Sequence, residues 1–201
     1  MAQRHLRKFK AIVVGGSAGS LEIVLKIAEA LPLAGIVCIL VVHRRNDPDS
    51  ALAHLIAAKS KLKVREVEDK ETIAGDVIYL APPDYHLLVE TDVNFALDAS
   101  EKVHFSRPSI DVCFESAAAI YGDALIGVLL SGANADGAAG LKMIRDAGGF
   151  CIVQNPATAE VPYMPQQAIN QDAADEVVDG GEIHKFIVEM LQRNTPIRKQ
   201  N

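Results

Sequence analysis

The chain is poor in several features that would mark a function class. It has three cysteines in 201 residues and none forms a C-x-x-C pair. An odd, unpaired set argues against a disulfide framework or a zinc site. Cys38 and Cys151 lie in strand-like runs and Cys113 in a helix-like one, so buried, inert thiols are expected. The longest apolar run, Ile36–Val42, is far too short to span a bilayer. No export signal precedes the first strand: the basic start (Arg4, Arg7, Lys8) lacks an apolar core. A cytoplasmic protein without membrane insertion is expected. The net charge is −6 and no long basic stripe occurs, which excludes a duplex nucleic-acid binder. H-E-x-x-H, an EF-hand loop and carboxylate pairs at metal spacing are all missing, so no metal or organic cofactor is expected.

What is present is an ordinary globular composition, 49% hydrophobic and 23% charged, in one large domain over residues 1–193 with a polar tail, 194–201. Strand-like and helix-like segments alternate, which predicts an α/β fold: a doubly wound, mainly parallel sheet with helices on both faces. Leu21, Val24, Leu25, Ala28 and Leu31 recur at helical spacing before Pro32. Asp47-Pro48 reads as the cap of a helix through residues 51–56. Residues 85–90 and 93–98 flank Thr91-Asp92 and read as a hairpin, an antiparallel insertion in the sheet. Helices are expected over 108–121, 137–147, 162–170 and 182–191, and strands over 63–67, 77–81, 150–154 and 176–178.

Three buried-looking strands stop at residues with hydrolase chemistry. Residues 11–16 run into Ser17, residues 36–42 into His43, and residues 125–132 lead to Asp136. In an open parallel sheet, ligands bind outside the carboxyl ends of the strands. A serine, a histidine and an aspartate there would form a nucleophile, a base and its orienting acid. Each also has a plain structural reading. Ser17 lies in a glycine-rich turn and fits a helix cap or a phosphate cradle. Gly15 and Gly19 also give it the G-x-S-x-G spacing, although the order of acid and histidine differs from that fold. His43 reads equally as a satisfied structural histidine, and Asp136 as the N-cap of the helix that follows it. His86 and His104 flank the hairpin and could approach the site from a loop; His54 and His184 are read as ordinary helix residues.

The motifs resemble the catalytic domain of the CheB chemotaxis methylesterases. The family's G-A-S-T-G-G corresponds to residues 15–20, its Q-H-M-P to residues 42–45, and its R-P-S-V-D to residues 107–111. Its T-G-M-G-x-D-G-A-x-G corresponds to residues 131–140, and its Q-N and M-P-x-x-A-I to residues 154–155 and 164–169. Residues 78–86 resemble its Y-I-A-P-G-D-x-H. The resemblance implies that Ser17 is the nucleophile, His43 the base and Asp136 the orienting acid. It implies hydrolysis of glutamate γ-methyl esters on cytoplasmic chemoreceptor helices, releasing methanol, with receptor-glutamine deamidation in some members. Arg44, Arg107 and Met164 are the expected substrate contacts, the arginines (with Arg45) steering an acidic helix. The chain departs from the motifs at Ala18 (for Thr), Arg44-Arg45 (for Met-Pro) and Ala133-Asn134 (for Met-Gly). The family's N-terminal receiver domain has no counterpart before the first strand, so control by a separate regulatory or methyltransferase partner is expected. Two other readings stay open: a non-catalytic scaffold for receptors or partners, and a nucleotide-binding module. Against the second, His43 stands where a ribose-binding acid would end the second strand.

Overall fold

The computed structural model describes residues 9–44 and 51–193. The basic N-terminal segment, Arg45, the Asp47-Pro48 cap and the C-terminal tail lie outside the described residues. In chain order the elements are β1 (Ala11–Gly16), α1 (Leu21–Ala30), β2 (Val37–Val42), α2 (Ala51–Ala57), β3 (Lys63–Glu66) and β4 (Val77–Leu80). There follow β5 (His86–Val89), β6 (Phe95–Asp98), α3 (Ile110–Tyr121), β7 (Leu125–Leu129), α4 (Ala138–Asp146) and β8 (Phe150–Gln154). α5 (Tyr163–Asn170), β9 (Glu176–Val178) and α6 (Ile183–Arg193) complete the chain.

Seven strands form one sheet in the order β3-β4-β2-β1-β7-β8-β9, and every neighbouring pair is parallel. Their continuous apolar runs follow from cover on both faces. Side chains alternate between two cores, as the two-residue period of a strand requires. Val13, Ile39, Leu129 and Val153 point to one core, with α3, α4, α5 and the β5–β6 pair; Val14, Leu40, Val128 and Ile152 point to the other, with α1, α2 and α6. Both edge strands are short and partly exposed, and β3 carries Lys63 and Arg65, features that blunt edge-to-edge pairing.

The hairpin departs from expectation. β5 and β6 pair antiparallel as a separate two-stranded sheet, not as an insertion in the main one. Leu87, Val89 and Phe95 bury one of its faces in the α3 core, and Tyr79 meets Phe95 edge-on at 4.8 Å. Burial of that face decides its place, and the local turn sequence does not encode it.

All three thiols are buried. Burial pushes Cys38 and Cys113 up to about 12, and Cys151 also upward. Because the thiolate is the reactive form, native protein at pH 8 should leave all three unmodified by iodoacetamide. Mass spectrometry should find full labelling only after unfolding.

Candidate active site

The strand order places β1 between β2 and β7, where the chain reverses its direction of winding across the sheet. A crevice opens at such a switch point. His43 N donates to Gly16 O at 3.0 Å, and Ser17 N donates to Ser131 O at 2.9 Å. The ends of the three central strands are thus tied together, with Ser17 in the middle.

The Ser17 turn is held by its backbone. Ser20 Oγ donates to Ser17 O at 2.7 Å, and the buried Ser131 Oγ donates to Ala18 O at 2.7 Å. Gln154 Oε1 accepts the amide of Ser131 at 2.9 Å, which fixes the neighbouring strand end. Ser17 does not cap α1, whose N-cap is Ser20. Its hydroxyl has no hydrogen-bond partner among the described residues. Gly132 lies against it: a Cβ there would stand 3.0 Å from Ser17 Cβ and 2.4 Å from Met164 Cε. Met164 is fully buried, so it packs beneath Gly132 and offers no surface to a substrate, contrary to the expected contact.

Asp136 is fully buried and does not cap the helix that follows it; the N-cap of α4 is Gly137, at φ +94°. It serves α3 instead. Its Oδ1 accepts from Ser109 Oγ at 2.8 Å and Asp111 N at 2.9 Å. Its Oδ2 accepts from Ile110 N at 2.8 Å and pairs with His43 Nε2 at 2.8 Å. In return Asp111 Oδ1, on α3, accepts the amides of Gly137 and Gly140 at the start of α4, at 2.9 and 2.6 Å. Each helix is therefore capped by an aspartate from the other's N-terminal region. Gly140 permits the approach, since a Cβ there would lie 2.7 Å from Phe114 Cβ. Burial alone would raise the Asp136 carboxyl, but the bonds from His43, the Asp111 and Ile110 amides and Ser109 outweigh it and hold the group below its ordinary range. Burial, with the charge of Asp136 nearby, moves Asp111 the other way despite its two amide donors. Asp111→Ala leaves two helix amides without an acceptor and should cost about 1–3 kcal/mol in thermal or urea unfolding. Asp111→Asn keeps an acceptor oxygen and should cost less.

The carboxylate also decides the tautomer of His43. An ionised Asp136 only accepts, so Nε2 carries the proton and Nδ1 is left with its lone pair. The His43 side chain is 12% exposed. Its Nδ1 lies 3.4 Å from Ser106 Oγ, which also receives Asn134 Nδ2 at 3.2 Å. No hydrogen bond joins Ser17 Oγ to His43 among the described residues; such bonds are often long before substrate binds. Ser106, Ser109 and Asp111 escape sequence reasoning because each reaches the site from a distant part of the chain. The one available signal was their clustering in and beside the Arg-Pro-Ser-Ile-Asp motif.

A cleft of about 430 Å³ adjoins His43, lined by Arg44, Asp84, Lys102, Phe105, Ser106, Arg107 and Pro108. Arg44 and Arg107 line this cleft, each already engaged. Arg44 pairs with Glu66 at 2.5 Å, and Arg107 Nη1 donates to the carbonyls of Ala99 and Ser100 at 2.8 and 2.7 Å. His86 is buried away from the cleft, its ring bridging Glu101 O and Ser109 N at 2.9 and 3.1 Å. His104 approaches Asp111 at 3.3 Å, from the loop that carries Ser106. Among the described residues no group of three or more His, Cys, Asp or Glu is placed to hold a metal ion, and no helix is long and apolar enough to cross a membrane.

The family model described as CheB methylesterase matches residues 12–187. A putative protein-glutamate methylesterase/protein-glutamine glutaminase of Leptospira interrogans is 42% identical over 187 residues, which is 92% of this chain and 97% of that protein. The protein-glutamate methylesterase/protein-glutamine glutaminase of Halobacterium salinarum is 34% identical over 189 residues, 92% of this chain but 54% of the relative. Among solved structures, the catalytic domain of the Thermotoga maritima CheB methylesterase superposes with a TM-score of 0.85 at 30% identity, covering 91% of this chain and 99% of that one. With the sheet order and these matches in agreement, the chain belongs to the CheB methylesterase family of hydrolases.

Proposed function

We propose that this chain is a serine esterase that hydrolyses glutamate γ-methyl esters on the cytoplasmic helices of chemoreceptors, with Ser17, His43 and Asp136 as its catalytic residues. The observation that carries the reading is the His43–Asp136 pair at 2.8 Å, with the carboxylate fixed by three further donors, at a strand end tied through His43 N and Gly16 O to the turn that carries Ser17. His43 Nδ1 takes the Ser17 proton as Oγ attacks the ester carbonyl. Asp136 stays ionised and stabilises the imidazolium. The amides of Ala18 and Gly19, just before α1, are suited to the developing oxyanion, where the helix dipole also favours negative charge. The imidazolium then protonates the departing methoxide, and methanol leaves. Water, deprotonated by His43, attacks the acyl-enzyme and releases the glutamate carboxylate and Ser17. The same sequence on a glutamine side chain releases ammonia, which accommodates deamidation.

A second reading has one observation in its favour: Ser106 Oγ, not Ser17 Oγ, lies near His43 Nδ1, at 3.4 Å. Ser106 sits on a loop and is engaged by Asn134, whereas Ser17 stands at a strand end beside backbone donors. A serine-directed phosphonate, mapped by mass spectrometry, separates the two. Modification of Ser17 is expected. Modification of Ser106 alone, or no modification of an intact fold, overturns the assignment and in the second case favours a scaffold.

A further inference from the structure

The cleft beside His43 is more cationic than the chain around it. The formal charge of the whole chain is −6, yet Arg44, Lys102 and Arg107 line this cleft with the one carboxylate of Asp84, Arg44 being paired through Nη2 to Glu66 at 2.5 Å. The Arg44 side chain is 11% exposed, and its Nε and Nη1 are buried without a hydrogen-bond partner among the described residues, as is Arg107 Nε. Buried donors are ordinarily paired, so these three guanidinium nitrogens, on two side chains that line the cleft, call for an acceptor. Lys102 is exposed and lines the same cleft. Two departures from the family motifs meet here. Arg44 stands where the motif has methionine. Asn134, where it has glycine, donates to His104 O and Ser106 Oγ, both at 3.2 Å, and so fastens the loop between Lys102 and Arg107.

We propose that this cleft is a carboxylate subsite, which binds a second, unesterified acidic side chain of the substrate segment while the ester lies at Ser17. A turn of the Arg44 guanidinium about its Nη2–Glu66 pair presents its other nitrogens to that carboxylate, and Lys102 and Arg107 add their charge. The chain therefore prefers a γ-methyl glutamate with a free carboxylate on the same helix face over one flanked by the uncharged isostere glutamine. This rests on the esterase reading above and adds a substrate requirement to it.

The test uses two helical peptides, each with one γ-methyl glutamate, that carry either Glu or Gln three and four residues away. Binding is read by fluorescence anisotropy and hydrolysis by methanol release, for the full chain and for Arg44→Met, Lys102→Gln and Lys102→Glu. At low ionic strength the Glu peptide should bind more tightly and show a kcat/KM about three- to tenfold higher, a range set by partly exposed charge pairs. Added salt should shrink the ratio, Arg44→Met and Lys102→Gln should bring it toward one, and Lys102→Glu should take it below the Lys102→Gln value. Equal affinity and equal kcat/KM for the two peptides, or a ratio unchanged in the variants, overturns the subsite. Lys102→Glu alters an exposed side chain, so it decides the matter even where Arg44→Met does not fold. Tighter binding of the Glu peptide without hydrolysis of either upholds the subsite and removes the esterase reading instead.

Discussion

Replacing Ser17 with alanine should lower ester turnover by about a millionfold, the scale seen when the nucleophile of a serine triad is removed. The structure makes this a clean experiment. Ser17 Oγ has no partner among the described residues, and the turn is held by the backbone bonds of Ser17, Ala18 and Ser20. The variant therefore loses no hydrogen bond among the described residues, and its unfolding free energy should stay within about 0.5 kcal/mol of wild type. Methanol release and thermal unfolding, measured side by side, check both halves. A variant that keeps normal turnover removes Ser17 from the mechanism. One that is inactive only because it unfolds leaves the hydroxyl with a structural role that its lack of partners does not suggest.

Asp136→Asn should be damaging in two ways at once. In a serine triad this change can leave geometry intact and still cost about 10⁴ in kcat, because the histidine is held in the wrong tautomer. Here it also disturbs the fold. Each carboxylate oxygen accepts a backbone amide of α3, Oδ1 from Asp111 and Oδ2 from Ile110. An asparagine has one oxygen, so one of those buried amides must face an NH₂ group. The loss of one acceptor should cost about 1–3 kcal/mol. Turnover measured with urea unfolding at neutral pH should show both losses. A loss of activity without any loss of stability means that the α3 cap is not formed by this carboxylate.

The pH dependence follows from the direction of each shift. Asp136 is held below its ordinary value in the folded state. Its contribution is therefore complete above the unfolded-state value, about 3.9 for aspartate, and is lost as the pH falls through the lower folded value. The stability gap between wild type and Asp136→Asn should close over that acid range. Asp111 is shifted upward, so its charged form is a cost at neutral pH. That cost is relieved as the pH falls through its folded value, which blunts the acid destabilisation of the wild type.

Much of the architecture was legible in the sequence because strands and helices declare themselves locally. Apolar runs of strand length marked β1, β2, β7 and β8, and helical spacing marked α1. The rule that ligands bind at strand ends then singled out Ser17, His43 and Asp136 before any contact was known. What the sequence could not supply was the partner of each polar group. Asp136 precedes a helix, so a local rule assigned it to α4, whereas in space it caps α3 and Asp111 caps α4 in exchange. Met164 belongs to a motif, but its burial under Gly132 separates it from any substrate. The hairpin was visible as two strands, yet only its buried face keeps it apart from the main sheet.

The sequence by itself determined the α/β class, the order of elements and the three strand-end residues, because these follow from short-range periodicity and chain order. The tertiary structure alone decided that Nδ1 of His43 is the nitrogen that keeps its lone pair, that Ser106 stands beside it, and that three cations share one cleft. Those facts depend on hydrogen bonds and charges brought together across the chain, from residues 43 to 136, and no local pattern encodes such distances.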